Sequence, residues 1–247
     1  MLPWSVAAAQ YASRSRDIDG NISHHLSFIQ QASRQQIDLL LFPELSLSGY
    51  ELEVGPQLAL SLNDARLDQF AEAAHQHQMN IIVGMPLRVD HHYHIGAVTF
   101  LPDGTRFAYA KRHLLGSESQ FFQPGRGGPV FGTPTRNVAI AVCADIVIEQ
   151  FARDAAECGA DLYAASVLVS EKTYDSDCHS LSRWSADYRM AVLMANHAKP
   201  TGGYESNGGS AFWDAEGNKV ICSGSGELLM VVRRTPQGWQ GEIHPLG

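Results

Sequence analysis

Strand-length apolar runs alternate with segments of helical period along the first third of the chain, and this alternation limits the fold more than any other feature. Ser5 to Ala9, Ile37 to Phe42 and Ile81 to Val83 are short, continuous and apolar, as strands buried on both faces are. Between them, Ile22 to Ala32 and Leu67 to His77 repeat their apolar residues at helical spacing. In the second, Leu67, Phe70, Ala71 and Ala74 share a face, and Asn63 or Asp64 is the expected N-cap. An α/β fold follows.

Further along, His94 to Leu101 and Arg106 to Ala110 flank Pro102-Asp103-Gly104, which predicts a hairpin that interrupts the βα alternation. Val138 to Val142, Leu162 to Ala165, Val192 to Ala195, Ser210 to Trp213 and Leu228 to Val232 read as strands, with helices around Val147–Cys158 and Leu181–Arg189. No repeat or linker divides residues 1–247, and 45% hydrophobic residues supply a sizeable core, so one domain is expected.

The net charge of -8, with no basic run, argues against nucleic acid or an anionic membrane as partner. The N-terminal residues lack a basic stretch ahead of their short apolar run, and no later segment is long enough to span a bilayer, so a cytoplasmic protein is expected. Cys143, Cys158, Cys178 and Cys222 lie far apart with no paired spacing, which speaks against a disulfide or zinc scaffold. Asp90-His91-His92-Tyr93-His94 reads as a solvent-exposed hairpin edge and not as a metal site, because neighbouring strand residues point to opposite faces. The glycine-rich patches 124–129 and 201–204 read as surface loops.

Three residues with chemistry to offer end apolar strands: Glu44 after Leu39 to Pro43, Lys111 after Phe107 to Ala110, and Cys143 after Val138 to Val142. Open α/β sheets place their ligand crevices at such strand ends. Singly, Glu44 reads as a cap, Lys111 as a surface lysine and Cys143 as a small core residue. Together they fit acyl transfer. Cys143 would stand at the start of a helical segment, Ala144 to Glu157, whose N-terminus favours a thiolate. Glu44 would carry the proton as general base and acid, and Lys111 with a backbone N–H after Cys143 would hold the oxyanion. Substituting Glu44 or Lys111 is expected to remove turnover and leave the fold intact. His113, near Lys111 in sequence, is ranked as structural because an acid already stands at a strand end.

The same residues carry a resemblance. Phe42-Pro43-Glu44-Leu45 with Ser48-Gly49-Tyr50, Tyr109-Ala110-Lys111-Arg112-His113-Leu114 and Val142-Cys143-Ala144-Asp145 follow one another as the signature blocks of the nitrilase, or carbon–nitrogen hydrolase, family do. The chain resembles that family over most of its length. The resemblance implies a four-layer αββα sandwich, a covalent thioester, and a Glu-Lys-Cys triad on Glu44, Lys111 and Cys143. It implies no metal or organic cofactor, and self-association at least to a dimer. Glu118 matches a second family glutamate and would orient Lys111 or the substrate; Tyr50, Ala144 and Val167 are the candidate substrate contacts. The chain departs from the common pattern after the cysteine, where Ala144-Asp145-Ile146-Val147-Ile148 lacks an aromatic residue and the arginine that would bind a distal carboxylate. The expected activity is hydrolysis of a small linear amide, a carbamoyl compound or a nitrile. Acyl transfer to an amine, or a silent small-molecule-binding protein of the same fold, are the alternatives.

Overall fold

The computed structural model of the protein describes residues 4–133 and 136–246. Among them, strands fall into two sheets. The first is centred on β1 (Trp4–Gln10), β2 (Leu39–Leu41) and β3 (Asn80–Val89), which run parallel from β1 to β2 to β3 with Ala7 beside Leu40 and Leu40 beside Ile81. It is extended on one side by the antiparallel β4 (His92–Phe100) and β5 (Arg106–Ala110). On the other side lie β12 (Leu228–Thr235) and β13 (Gly238–Pro245), giving the order β13-β12-β1-β2-β3-β4-β5. The second sheet is built from β6 (Phe131–Gly132), β7 (Asn137–Val142), β8 (Leu162–Ser166), β9 (Ala191–Ala195), β10 (Ala211–Trp213) and β11 (Lys219–Cys222), in the order β11-β10-β9-β8-β7-β6.

Alternation along each strand sorts its side chains into two cores. Val6 and Ala8 of β1 and Leu39 and Leu41 of β2 meet Ile140, Leu193 and Phe212 of the other sheet, so the sheets pack face to face. Ala7, Ala9 and Leu40 point the other way, onto α1 (Ile18–Arg34) and, beyond the one-turn α2 (Gly55–Leu58), α3 (Asp68–His77); α1 and α3 contribute Ile22, Phe28, Ile29, Phe70 and Ala74. On the far side of the second sheet, Ala139, Ala141 and Tyr163 pack on α4 (Glu149–Glu157) and α5 (Tyr174–Tyr188) through Ala152, Ala155, Leu181 and Trp184. The result is the expected αββα sandwich. Strands covered on both faces explain the unbroken apolar runs, since burying each such side chain contributes roughly 1.5–3 kcal/mol.

The hairpin at Pro102-Asp103-Gly104 forms, with Gly104 at φ 87° and the Asp103 carboxylate accepting from the Thr105 N–H at 2.8 Å. Asp64 does act as a cap, but of a short 3₁₀ turn (Ala65–Leu67) that precedes α3. Two features differ from expectation. Helix α5 begins at Tyr174, well before Leu181, because its first turns carry Asp175, Ser176, Asp177 and Ser180 on a largely solvated face. The segment after Cys143 is a 3₁₀ turn (Cys143–Val147) separated from α4, not one continuous helix. No helix among the described residues is long and apolar enough to cross a membrane.

Candidate active site

The ends of β2, β5 and β7 converge. Glu44, Lys111 and Glu118 are all buried, and the Lys111 ammonium donates to Glu44 Oε1 at 2.8 Å and to Glu118 Oε1 at 2.7 Å. Glu118 sits on a 3₁₀ turn (Gly116–Gln120), where its other oxygen accepts from the Leu115 N–H at 2.7 Å. The Tyr50 hydroxyl donates to the same Glu118 oxygen that Lys111 uses. Glu44 Oε2 is buried and has no hydrogen-bond partner among the described residues, while the Cys143 thiol is near enough to bear on that carboxyl's acidity.

Two of these residues lie next to a left-handed backbone. Cys143 itself has φ 45° and Leu45, directly after Glu44, has φ 50°. A non-glycine residue held there costs on the order of 1–3 kcal/mol and persists only where its surroundings impose it. At Cys143 the sharp turn out of β7 leaves the residue partly accessible, with its thiol 3.6 Å from the Leu168 carbonyl oxygen. At Glu44, β3 runs so close that a Cβ on Gly84 would stand 2.1 Å from the Pro43 carbonyl oxygen, so only glycine fits.

Burial raises the Glu44 carboxyl from 4.5 to about 7; the Lys111 charge opposes this and the Glu118 charge adds to it. Burial also pushes the Cys143 thiol well up, with Glu44 in the same direction and Lys111 against. This corrects the expected thiolate at a helix N-terminus: a 3₁₀ turn of one or two turns has little dipole, and the apolar surroundings dominate. A neutral thiol beside a carboxyl with an unsatisfied oxygen can transfer its proton as it attacks. For Lys111, burial favours the neutral amine, but the Glu44 and Glu118 carboxylates outweigh it and hold the group charged.

A family model described as carbon-nitrogen hydrolase matches residues 5–240. The chain belongs to the carbon-nitrogen hydrolase family. By that membership it is a hydrolase of carbon–nitrogen bonds other than peptide bonds. An (R)-stereoselective amidase of a Pseudomonas species is 28% identical over 237 residues, covering 92% of this chain and 83% of that protein. The omega-amidase of Homo sapiens is 27% identical, over 85% of this chain and 77% of its own. Among solved structures, a mutant of the amidase from Nesterenkonia sp. AN1, with the acetamide moiety of fluoroacetamide covalently added at its active-site cysteine, superposes with a TM-score of 0.84. It is 26% identical and covers 93% of this chain and 89% of that one.

In this carbon-nitrogen hydrolase two further residues shape the site without having stood out as functional in the sequence. The fully buried Asp145 carboxylate accepts from the Tyr109 hydroxyl and the His113 N–H, both at 2.8 Å, and from the N–H groups of Arg112 at 3.2 Å and Val142 at 3.3 Å. It ties the chain just after Lys111 to the chain just before Cys143. His197 is buried, and burial lowers its pKa to about 4, so the neutral ring donates from Nε2 to the Glu44 carbonyl oxygen at 2.7 Å. Asp145 stands inside the cysteine signature block, yet nothing in its spacing tells which groups it binds; His197 only ends an apolar run. We expect Asp145→Ala to lower unfolding free energy by at least about 2 kcal/mol, since several buried donors lose their acceptor. Denaturant titration checks this, and Asp145→Asn should fall between, because its amide group turns a donor toward donors.

The candidate substrate contacts divide. Tyr50 lies in the site, and Ala144 follows Cys143 in the 3₁₀ turn, where an N–H has no carbonyl ahead of it to bond. Val167 does not belong there. Continuing the alternation of β8, it packs with Ala165 and Val169 in the core beneath α4 and α5, and Leu168 is the neighbour that faces the inter-sheet side. Patch 124–129 lies against the lysine strand, with the Gly125 N–H donating to the Lys111 carbonyl oxygen at 2.7 Å. His91 and His92 are exposed at the end of the β3–β4 hairpin.

Proposed function

We propose that this protein hydrolyses the C–N bond of a small linear amide or carbamoyl compound through a thioester on Cys143. The observation that carries the reading is the Glu44–Lys111–Glu118 cluster with the free Glu44 oxygen beside a thiol on a left-handed turn. As the sulfur bonds to the carbonyl carbon, Glu44 takes the thiol proton, and the oxyanion is held by the Lys111 ammonium and the Ala144 N–H. Glu44 then returns the proton to the nitrogen, the C–N bond breaks, and the amine leaves. Water, deprotonated by Glu44, attacks the thioester; the carboxylic acid departs and the thiol is restored. Glu118 holds Lys111, and Tyr50 holds Glu118.

These steps call on no metal or organic cofactor. The reading has the chain act as one domain in the cytoplasm, as a dimer or larger homo-oligomer. It also disfavours a free dicarboxylate monoamide as substrate, because the chain carries Val147-Ile148 where the family pattern has a carboxylate-binding arginine. The nearby Arg112 and Arg183 are engaged with Asp154 at 2.8 Å and Asp187 at 3.5 Å. A buried carboxylate without a partner is costly to desolvate, commonly by several kcal/mol.

Intact-protein mass spectrometry after brief incubation with a panel of neutral amides is the test. An acyl adduct that maps to Cys143 and disappears in Cys143→Ala is expected. An adduct on another cysteine, or none with any amide, would refute the mechanism. Alkylation with a general thiol reagent is less telling than the sequence suggests, because Cys158 and Cys222 are exposed while the Cys143 thiol is held neutral.

A further inference from the structure

We propose that a cavity beside Tyr50 is the subsite for the distal end of the substrate's acyl chain, and that it takes a cationic end group, an ammonium or guanidinium. The proposal rests on the hydrolase reading above and adds the chemistry that selects among amides.

The cavity has a volume of about 590 Å³, within the usual range for a small-molecule site. Tyr50, Leu52, Phe121 and Tyr204 give it aromatic and apolar walls. It adjoins the candidate active site in two ways. Tyr50 carries the hydroxyl that binds Glu118, and Ser117 and Gln120, from the turn that bears Glu118, also line it. The Tyr50 side chain thus links the cavity wall to the carboxylate that holds Lys111.

The glycine patch at residues 201–204 is a wall of this cavity and not a free surface loop. Thr201 and Tyr204 pair across a tight turn, and the Tyr50 N–H donates to Thr201 Oγ1 at 3.0 Å. Gly202, at φ 57°, presses so closely that a Cβ would stand 1.8 Å from the Tyr50 carbonyl oxygen. This docking sets the Tyr204 ring edge-on to Tyr50, with centroids 4.9 Å apart, and leaves Tyr204 45% exposed. A large aromatic side chain left so accessible in the wall of a cavity that adjoins the turn bearing Glu118 is placed to meet a ligand.

Charge decides which ligand. Arg16 is the one basic residue among the described residues of the lining, and its Nε is engaged by Glu51 Oε2 at 2.9 Å, with Ser15 donating to Glu51 Oε1 at 2.8 Å. Glu53 has no hydrogen-bond or ion-pair partner among the described residues and is exposed to the cavity. A carboxylate entering here meets two carboxylates, Glu51 and Glu53, against a single arginine whose Nε–H is already bound to Glu51. An ammonium or guanidinium meets Glu51, Glu53 and the exposed Tyr204 ring, and aromatic rings attract cations.

The experiment compares kcat/KM for chain-matched linear amides ending in an ammonium, a methyl or a carboxylate, over a short series of chain lengths. At the best length the ammonium-ended amide is expected to exceed the methyl-ended one by about tenfold, with the carboxylate-ended amide lowest. Tyr204→Ala and Glu53→Gln should each cut the ammonium-to-methyl ratio by about threefold or more. Equal kcat/KM for the three amides, preference for the carboxylate, or a ratio that neither variant moves would overturn the subsite and leave the hydrolase reading standing. Calorimetry with Cys143→Ala protein separates the opposite failure. If the ammonium-ended amide binds selectively, and binding weakens in the Tyr204 and Glu53 variants, while the wild-type protein turns over no amide, the subsite stands and the hydrolase reading falls.

Discussion

Lys111→Ala is expected to lose at least about 10²-fold in kcat and about 3–5 kcal/mol of stability together. The sequence alone suggests a lysine that can be removed with the fold intact, as a surface lysine could be. In the structure its ammonium donates to Glu44 and shares Glu118 with Tyr50 and Leu115, and all three side chains are shut off from water. Removing the cation leaves two carboxylates facing each other in a medium that solvates neither. Glu44 loses the charge that opposes its rise and keeps its proton to still higher pH, which disables it as a base. Turnover and stability therefore fall from one cause. Urea unfolding alongside steady-state kinetics checks both. Combining Lys111→Met with Glu44→Gln and Glu118→Gln should recover much of the stability and none of the turnover, since the buried charges then disappear as a set. A Lys111→Ala protein as stable as the wild type would mean that water reaches this cluster; one within tenfold of wild-type kcat would remove Lys111 from oxyanion stabilisation.

The parts of the fold that were legible in the sequence are those where one physical demand dominates. Strands β1, β2, β7, β8 and β9 are covered on both faces, so their residues had to be apolar throughout, and the runs mark them. The placement of Glu44, Lys111 and Cys143 at strand ends follows from the same runs, because each is the first polar or reactive residue past an apolar stretch. Where demands compete, the pattern fades. Strand β13 holds two glycines and a proline on a half-exposed sheet edge, and β6 is only two residues long. Helix α5 opens with residues that favour caps and turns. Val167 was misplaced because strand alternation runs on past β8, and a one-residue difference in direction sends a side chain to the opposite core. The tie from Tyr50 through Glu118 to Lys111, like the grip of Asp145 on two loops, joins residues distant in sequence, and no local periodicity records such a contact. The acidity of Cys143 was beyond reach for a related reason: it depends on how completely the surrounding chain excludes water.

Glu44→Gln is expected to reduce kcat by about 10²- to 10⁴-fold while the protein stays folded, the range that loss of a proton carrier produces. The contrast with Lys111→Ala is electrostatic. Glutamine keeps the shape of the side chain and an oxygen to accept from Lys111, and the ammonium retains Glu118 at 2.7 Å, so no buried charge is left alone. The wild-type pH profile tests the same residue. Burial lifts the Glu44 carboxyl from 4.5 to about 7, with Glu118 adding and Lys111 opposing. The base form is the ionised one, and a raised pKa means that the proton is kept to higher pH. Activity should therefore be lost as pH falls through about 7, not through 4.5, with kcat/KM dropping about tenfold per pH unit below it. Because kcat/KM reports the free enzyme, its acid limb should carry this value directly. Glu118→Gln removes a negative charge that raises Glu44, so it should move the limb to lower pH even as it slows turnover by loosening Lys111. An acid limb near 4.5 in the wild-type protein would show that water relieves the burial of Glu44, and one that Glu118→Gln leaves in place would show that another group carries the proton.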